Sequence, residues 1–456
     1  MSDFIKFNST NLNSEEVSFS EALLKGLAPD GGLFMPLEIP KLSIAEIESL
    51  RTKTYAEIAF VIISKFLRGQ IDDKELKALI DDAYNFPVPL KKAYDRKYVM
   101  RLDQGPTASF KDFAARMMGR LMNYYLQKEN SNLLILTATS GDTGSAIANA
   151  FYGLDNIKVV VLFPITEVTN RQRKQMTTLG KNIQIVSVEG KFDDCQALVK
   201  EAFNDRSLDY LNLSSANSIN IGRLIPQIVY YFYAHSKLSK SADESITFCI
   251  PSGNFGNMMG GVLASFMGLP VEKYIIATNS NDEFPILLES EKYDKIEPSK
   301  NCISSAMNVG HPSNLARLIA LFKGVMDEKG NIHKKPDFER LRNTITSYSI
   351  TDVETKMTIA EAYKSYKLLL EPHGAVGWTA LGKYLNNLTT DEHKDKLFVS
   401  LETAHPAKFP EEINQILNFD PELPDSLKGL EEIEENYLNM GKSYAEFKRF
   451  LVENYK

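Results

Sequence analysis

Residues 133–153 read LLILTATSGDTGSAIANAFYG. The apolar run at 133–139 is typical of a buried strand, a glycine loop follows it, and SAIANAFYG then has the pattern of a helix. Further strands are predicted at 159–164 (VVVLFP), 246–253 (ITFCIPSG) and 274–280 (YIIATNS), with helices between them. Strands that alternate with helices form right-handed βαβ units, so we predict an α/β protein built on a mainly parallel sheet. Ligands of such sheets bind at the carboxyl ends of the strands.

The composition is that of a globular chain with several domains. Its 456 residues predict two to four domains, and 43% hydrophobic with 24% charged residues supply a sizeable core. A net charge of −7 argues against nucleic-acid or anionic-membrane partners. No apolar run is long enough for a membrane span, and the N-terminus lacks a secretory signal. We therefore expect a cytoplasmic protein.

Cysteine and histidine usage argues against disulfide and metal chemistry. The three cysteines, Cys195, Cys249 and Cys302, lie far apart, which fits a reducing compartment. The six histidines show no metal-binding spacing, so no metal site is expected. His373 and His405 are therefore interpreted as structural hydrogen-bonding residues.

The first candidate for chemistry is Lys111, within LDQGPTASFKDFAARMMGRL (102–121). Its position predicts the first turn of a helix, where the positive end of the helix dipole disfavours a cation. That cost disappears if the amine is joined to an aldehyde as a Schiff base. The alternative, which this segment alone favours, is an exposed lysine paired with Asp112 or Asp103.

Two glycine loops are candidates for anion binding. One runs through Ser140, Gly141, Asp142, Thr143 and Gly144, and the other through Gly253, Asn254, Phe255, Gly256 and Asn257. Each lies between a predicted strand and a helix, where free backbone N–H groups favour a carboxylate or phosphate. The alternatives are a tight turn with Ser140 or Asp142 as N-cap, and close helix–sheet packing at the second loop. Two such loops preceded by Lys111 indicate a pyridoxal-phosphate enzyme.

Two further segments carry polar side chains that suit a ligand. SSANSINIGRLIPQ (214–227) places Asn217, Ser218 and Arg223 in or beside a helix start. Arginine is well suited to phosphate or carboxylate, although Arg223 on the surface of an N-capped helix is an equally good interpretation. LETAHPAKFP (401–410) follows a predicted strand and holds Thr403 and Lys408.

Seven segments, in chain order, resemble threonine synthase, and more closely the longer form found in many bacteria and fungi. They are GLAPDGGLFMP (26–36), GPTASFKDFAARMMGRL (105–121), TATSGDTGSAIANAF (137–151), ANSINIGRLIPQ (216–227), PSGNFGNMMGG (251–261), EPHGAVG (371–377) and TAHPAKFP (403–410). Residues 307–318 (MNVGHPSNLARL) follow the family pattern only loosely, with His311 at an unexpected position. That departure argues against a role for this segment.

The resemblance implies the tryptophan-synthase-β-like fold, fold-type II of the pyridoxal-phosphate enzymes. A mostly helical N-terminal domain would span residues 1–95. A large cofactor-binding α/β domain would comprise 96–125 and 215–410, with a small α/β domain over 126–214. Residues 411–456 are predicted to form a C-terminal helical segment.

The resemblance also implies a role for each candidate residue. Lys111 would form the Schiff base with the cofactor and, once released, act as the base. The cofactor would be held at its phosphate by Gly253, Asn254, Phe255, Gly256 and Asn257, and at its pyridine nitrogen by Thr403. The substrate would be held at its carboxylate by Ser140, Gly141, Asp142 and Thr143, and at its phosphate by Asn217, Ser218 and Arg223.

The reaction implied by the family converts O-phospho-L-homoserine and water into L-threonine and phosphate, in a monomer or homodimer. Two alternatives stay open from the sequence. A related phospho-lyase would release phosphate but yield a 2-oxo acid and ammonia. A non-catalytic phosphate-binding protein would have no use for Lys111.

Overall fold

The computed structural model describes residues 4–139 and 141–455. Its strands are β1 Phe7–Ser9, β2 Phe34–Pro36, β3 Leu90–Tyr94, β4 Lys97–Arg101, β5 Leu133–Ala138, β6 Ile157–Pro164, β7 Ile183–Val188, β8 Leu213–Ser214, β9 Ile246–Pro251, β10 Val271–Thr278, β11 Val325–Met326, β12 Ile332–Lys334, β13 Ile345–Ser349, β14 Leu397–Glu402 and β15 Leu438–Met440. Short 3₁₀ turns, such as Pro406–Lys408, connect several elements.

The helices follow the same chain order. They are α1 Phe19–Lys25, α2 Ile44–Ser49, α3 Tyr55–Leu67, α4 Asp73–Ala83, α5 Lys111–Glu129, α6 Asp142–Phe151, α7 Asn170–Thr177, α8 Phe192–Asn204, α9 Ile221–Leu224, α10 Val229–Leu238, α11 Gly256–Phe266, α12 Glu283–Ser290, α13 Leu315–Leu321, α14 Phe338–Thr344, α15 Asp352–Tyr366, α16 Pro372–Asn386, α17 Thr390–His393, α18 Pro410–Leu417 and α19 Tyr444–Asn454. Among the described residues, no helix is both long and apolar enough to cross a membrane.

Two open sheets form the body of the fold. The larger has the strand order β13-β10-β9-β14-β4-β3 and is parallel except at its β4–β3 edge. The smaller has the order β15-β7-β6-β5-β8 and is parallel throughout. The prediction of an α/β protein with a mainly parallel sheet is therefore confirmed, with two such sheets in place of one.

The central strands are apolar because helices cover both of their faces. Every residue of β5 (LLILTA) and of β9 (ITFCIP) is buried. A parallel strand that is covered on both sides shows such a continuous apolar run and not an alternating pattern. The continuous apolar runs in the sequence therefore located both strands, and with them the loops at their carboxyl ends.

The residues at the start of α5 are hydrogen-bonded to the residues that follow β14. The backbone N–H of Phe110 donates to the carbonyl oxygen of Thr403 (2.8 Å), and Ser109 forms a β-bridge with Ala404. Helix α5 also packs against α6, which follows β5 of the smaller sheet. Lys111 therefore lies where the carboxyl ends of strands from both sheets meet.

The chain termini depart from a purely helical pattern. Within residues 1–95, helix α3 matches the predicted apolar helix, but β3 joins the large sheet beside β4. Within 411–456, where a helical segment is predicted, α18 and α19 are helical, and the short strand β15 pairs with β7 of the smaller sheet. A strand of three residues is too short for periodicity to reveal it. The domain boundaries stay predictions.

Candidate active site

Lys111 is the first residue of α5, and its side chain is only 13% exposed. Its Nζ lies 4.0 Å from Oδ2 of Asp142. The alternative of an exposed lysine paired with Asp112 or Asp103 is wrong, because both carboxylates have other partners. Asp112 accepts hydrogen bonds from the backbone N–H (2.9 Å) and hydroxyl (2.6 Å) of Thr107, and Asp103 pairs with Arg101.

The environment of Lys111 disfavours its charged form. Burial lowers the pKa of the amine to about 8, and the nearby cations Lys408 and Arg223 act in the same direction. The carboxylate of Asp142 opposes them. An appreciable fraction of the amine is therefore neutral near physiological pH, as a nucleophile or a base requires.

Thr403 follows β14 and is buried. Its hydroxyl donates to Oε1 of Glu371 (3.3 Å). Glu371 also accepts from the ring Nδ1 of His373, whose Nε2 accepts from the backbone N–H of Ala306 (3.0 Å). His373 is therefore a structural residue, as predicted, and it fixes the carboxylate that orients Thr403.

The loop at residues 253–257, here called the asparagine loop, joins β9 to α11. A Cβ on Gly253 would lie 2.8 Å from Cα of Met307, so only glycine fits, and Phe255 adopts a positive φ of 62°. The hydroxyls of Tyr230 and Tyr231 donate to Oδ1 of Asn257 (2.7 and 2.6 Å). They orient the Asn257 amide so that its NH₂ group is free to donate to a ligand.

The loop at residues 141–144, here called the aspartate loop, opens α6. Gly141 is the N-cap, with φ 142°, and the hydroxyl of Thr139 accepts from the N–H groups of Gly141 (3.1 Å) and Gly144 (2.8 Å). Asp142 is therefore not the N-cap, and Ser140 lies outside the described residues. Thr143 is half-buried in the first turn.

The carboxylate of Asp142 has side-chain partners from other segments of the chain. It accepts from Nε2 of Gln172 (2.9 Å) and lies 2.6 Å from Nζ of Lys408. Burial alone would raise the pKa of Asp142, but the ammonium groups of Lys408 and Lys111 hold it well below its usual range. Neighbouring residues thus compensate the charge of Asp142. The backbone N–H groups of Asp142 and Thr143, which have no acceptor among the described residues, remain available to a second anion.

The segment before α9 is capped as predicted, but Arg223 is not on the surface. Asn220 is the N-cap, whereas Arg223 is 4% exposed and donates to the carbonyl oxygen of Ala216 (2.7 Å). Burial lowers the pKa of Arg223 to about 10. The surface interpretation is therefore wrong, and a buried cation lies beside Asn217 and Ser218.

Asn314 and Arg317 were missed by the sequence analysis, which expected no role for residues 307–318. Nδ2 of Asn314 donates to the carbonyl oxygen of Asn254 (2.9 Å), and Nδ2 of Asn254 donates to the hydroxyl of Ser218. The fully buried Arg317 donates to the carbonyl oxygens of Ser218 (3.2 Å) and Ile219 (2.6 Å). Residues 307–318 therefore connect the asparagine loop to the segment before α9 through hydrogen bonds.

Several buried polar atoms lack a hydrogen-bond partner in the part of the chain that the structure describes, and four of them belong to residues that adjoin Lys111 or form the candidate anion-binding segments. These four are Oγ of Ser109, Oδ1 of Asn217, Nε of Arg223 and Nδ2 of Asn257. A buried polar group without a partner is costly, so such groups mark places where a ligand completes the hydrogen bonding. Nε of Arg223 and Nδ2 of Asn257 are N–H donors, which suits an anionic ligand.

A buried lysine at a helix start, flanked by glycine loops at the carboxyl ends of parallel strands, defines a pyridoxal-phosphate-dependent enzyme of fold-type II. The family model described as "Pyridoxal-phosphate dependent enzyme" matches residues 88–400. The models "Threonine synthase N terminus" and "Threonine synthase, C-terminal" match residues 6–84 and 374–451. The cofactor is pyridoxal 5'-phosphate.

Relatives and solved structures agree over nearly the whole length. The chain is 38% identical to the threonine synthase of Buchnera aphidicola (Acyrthosiphon pisum), over 98% of this chain and 99% of the relative, and 35% identical to that of Escherichia coli, over 97% and 98%. The crystal structure of PLP-bound threonine synthase from Brucella melitensis superposes with a TM-score of 0.91 at 35% identity, covering 99% of this chain and all of that one. The chain belongs to the threonine synthase family.

Proposed function

We propose that this chain converts O-phospho-L-homoserine and water into L-threonine and phosphate, the last step of threonine biosynthesis. The observation that carries the proposal is the buried amine of Lys111, which faces the aspartate loop and lies within the electrostatic reach of Arg223. The amine has the aspartate loop on one side and Arg223 on the other, and both suit an anion. This arrangement fits a substrate with a carboxylate at one end and a phosphate at the other.

We propose that Lys111 holds the cofactor covalently, that Gly253 to Asn257 bind its phosphate, and that Thr403 contacts its pyridine nitrogen. The bare backbone at Gly253 and the free amide donor of Asn257 fit a phosphate. When bound, the cofactor supplies an electron sink that makes protons on the substrate carbons acidic.

Lys111 serves as the base in this scheme. Because burial lowers its pKa to about 8, the amine can accept a proton from a substrate carbon and return it at another position. Its low exposure limits the access of bulk water, which protects a reactive substrate carbon from unwanted protonation. Water is needed only at the carbon that receives the hydroxyl group of threonine.

The two ends of the substrate bind to different segments. The N–H groups of Asp142 and Thr143, with Ser140 and Gly141, bind the substrate carboxylate, and the pairing of the Asp142 side chain with Lys408 removes the repulsion between two carboxylates. Asn217, Ser218 and Arg223 bind the substrate phosphate. The buried guanidinium of Arg223 stabilises the charge that grows on this phosphate as it leaves.

The test is product analysis by mass spectrometry after the cofactor-loaded protein has turned over O-phospho-L-homoserine. We expect threonine and phosphate in equal amounts. A 2-oxo acid with ammonia and phosphate would identify a phospho-lyase, and no turnover would overturn the proposal. Borohydride trapping with peptide mapping tests the cofactor lysine separately, since a reduced adduct on any lysine other than Lys111 would contradict that assignment.

We further propose that the protein acts in the cytoplasm as a monomer or homodimer, with O-phospho-L-homoserine as its small-molecule partner. All three cysteines are unpaired, which fits a reducing compartment. Cell fractionation and analytical ultracentrifugation test these two statements. A secreted protein or a larger assembly would contradict them.

A further inference from the structure

Lys408 is a fully buried lysine whose effect on the Lys111 amine is not part of the proposed function. It lies in the 3₁₀ turn Pro406–Lys408 after β14, and its Nζ donates to the carbonyl oxygen of Thr107 (2.8 Å) and pairs with Oδ1 of Asp142 (2.6 Å). Asp142 belongs to α6, which follows the smaller sheet, whereas Lys408 follows a strand of the larger one. The ion pair thus joins the two sheets at the active site.

Two ammonium groups share the carboxylate of Asp142. Lys408 contacts one oxygen at 2.6 Å, and Lys111 lies 4.0 Å from the other. A buried cluster with two cations and one anion carries an excess positive charge, and it becomes neutral when one amine loses its proton. Lys111 is the amine that loses it, because Lys408 is in direct contact with the carboxylate.

The other charged groups near Lys111 do not take over the roles of Asp142 and Lys408. Arg223 faces it from α9 and disfavours its charged form, whereas Glu371, before α16, favours it. Glu371 already accepts from His373 and Gly374, and Asp112, next to Lys111 on α5, accepts two hydrogen bonds from Thr107. In the described part of the chain, Asp142 supplies the one carboxylate within salt-bridge distance of the Lys111 amine, at 4.0 Å.

We propose that Lys408 is a positioning residue, which holds the Asp142 carboxylate back from Lys111 and offsets its charge, so that the Lys111 amine stays available as a nucleophile and base. This inference rests on the role proposed for Lys111. Without Lys408, Asp142 would form a close ion pair with Lys111 and keep it protonated. Gln172, which also donates to Asp142, orients the carboxylate but contributes no charge.

The test is the pKa of Lys111 in the full-length, cofactor-free protein. It is measured by labelling with acetic anhydride over a pH series, with the Lys111 peptide quantified by mass spectrometry. We expect Lys408→Met to raise this pKa by about one unit or more, which lowers the neutral fraction at pH 7 about tenfold. Asp142→Asn is expected to lower it, and Lys408→Arg to leave it close to that of the unmodified protein.

Opposite shifts in Lys408→Met and Asp142→Asn distinguish an electrostatic role from a merely structural one. An unchanged or lowered pKa in Lys408→Met overturns the inference. If that variant does not fold, Asp142→Asn decides, since a Lys111 pKa that fails to fall also overturns it. Lys396→Met serves as the control, because Lys396 is 44% exposed and pairs with Glu272 at the surface.

Failure of this inference can be told apart from failure of the proposed function. In cofactor-loaded protein, borohydride trapping identifies the lysine that binds the cofactor, independently of Lys408. Trapping on Lys111 with no pKa shift in Lys408→Met overturns the inference alone. Trapping on another lysine overturns both. The visible absorbance of the cofactor-loaded protein changes with pH, and we expect the midpoint of this change to be highest in Lys408→Met and lowest in Asp142→Asn.

Discussion

The asparagine loop and the aspartate loop look alike in sequence, since each is a short glycine-containing link between a buried parallel strand and a helix, yet they differ in charge. The asparagine loop offers amides and is held by neutral donors from Tyr230 and Tyr231. The aspartate loop includes a buried carboxylate with two ammonium groups around it. A loop that only binds a dianion needs no acidic side chain, whereas a loop beside a reactive amine can use one to set the charge of that amine.

The largest expected effect comes from the amine itself. Lys111→Ala removes the group that faces the aspartate loop but leaves both loops intact. We expect turnover to fall by at least about 10³-fold, and the Schiff-base absorbance band of the cofactor-loaded protein to be replaced by that of the free aldehyde. Assays of threonine formation measure the loss of turnover, and absorbance spectra measure the change at the cofactor. A retained Schiff-base band in this variant would mean that the cofactor is bound to another lysine.

The asparagine loop is tested by adding a single methyl group. Gly253→Ala places a Cβ 2.8 Å from the backbone of Met307, so the loop must move, and we expect cofactor affinity to fall about 100-fold. Fluorescence titration of the cofactor-free protein measures this affinity.

The matched control for Gly253 is Gly382 in α16. A Cβ at Gly382 meets nothing within 4 Å among the described residues. Gly382→Ala should leave cofactor binding unchanged and stabilise the fold by about 0.5–1 kcal/mol, because alanine loses less entropy in a helix. Equal cofactor affinities in the two variants would show that the backbone at Gly253 is not part of the phosphate site.

Local sequence patterns predicted the strands and glycine loops, but not the groups that brace them. The apolar runs of β5 and β9 and the helix starting at Lys111 depend on neighbouring residues, so periodicity and turn chemistry are enough to find them. Arg317 donates to Phe34, 283 positions away, and Lys408 to Thr107, 301 positions away. No local pattern encodes such contacts.

One available signal was not used. Asn314 is the N-cap of α13, and Arg317 lies three residues further on in this otherwise apolar helix, whose Leu315 and Leu318 are fully buried. A polar pair at that spacing lies on one face of a helix and requires polar partners when the helix is buried. This spacing could have indicated that residues 307–318 contribute to the site.

Arg317 provides a test of how the asparagine loop is coupled to the substrate-phosphate segment. Arg317→Met leaves the carbonyl oxygens of Phe34 and Ile219 without a donor, at a cost of about 1–3 kcal/mol for each unsatisfied group. We expect KM for O-phospho-L-homoserine to rise about tenfold, because Ser218 loses its support. Steady-state kinetics and urea unfolding measure the two effects. A lower kcat with an unchanged KM would contradict this positioning role.

A substitution of Glu283, whose carboxyl group lies behind the asparagine loop, is expected to leave activity unchanged. Glu283 is 2% exposed and precedes Phe284, whose ring packs edge-on against Phe255 at 4.9 Å. Burial raises the pKa of Glu283 to about 7, above its unfolded value of 4.5, so the folded protein binds the proton more tightly. This contribution to stability is present below pH 4.5 and is lost as the pH rises through 7.

Glu283→Gln mimics the protonated side chain. We therefore expect the variant to match the unmodified protein in stability near pH 4.5 and to exceed it at pH 8, by up to about 3 kcal/mol, with unchanged turnover. Urea unfolding at the two pH values measures the difference. A gain that is equal at both pH values would mean that Glu283 does not titrate in this range. The side chain behind the asparagine loop would then keep a single charge state between these pH values, as the carboxylate of Asp142 in the aspartate loop does.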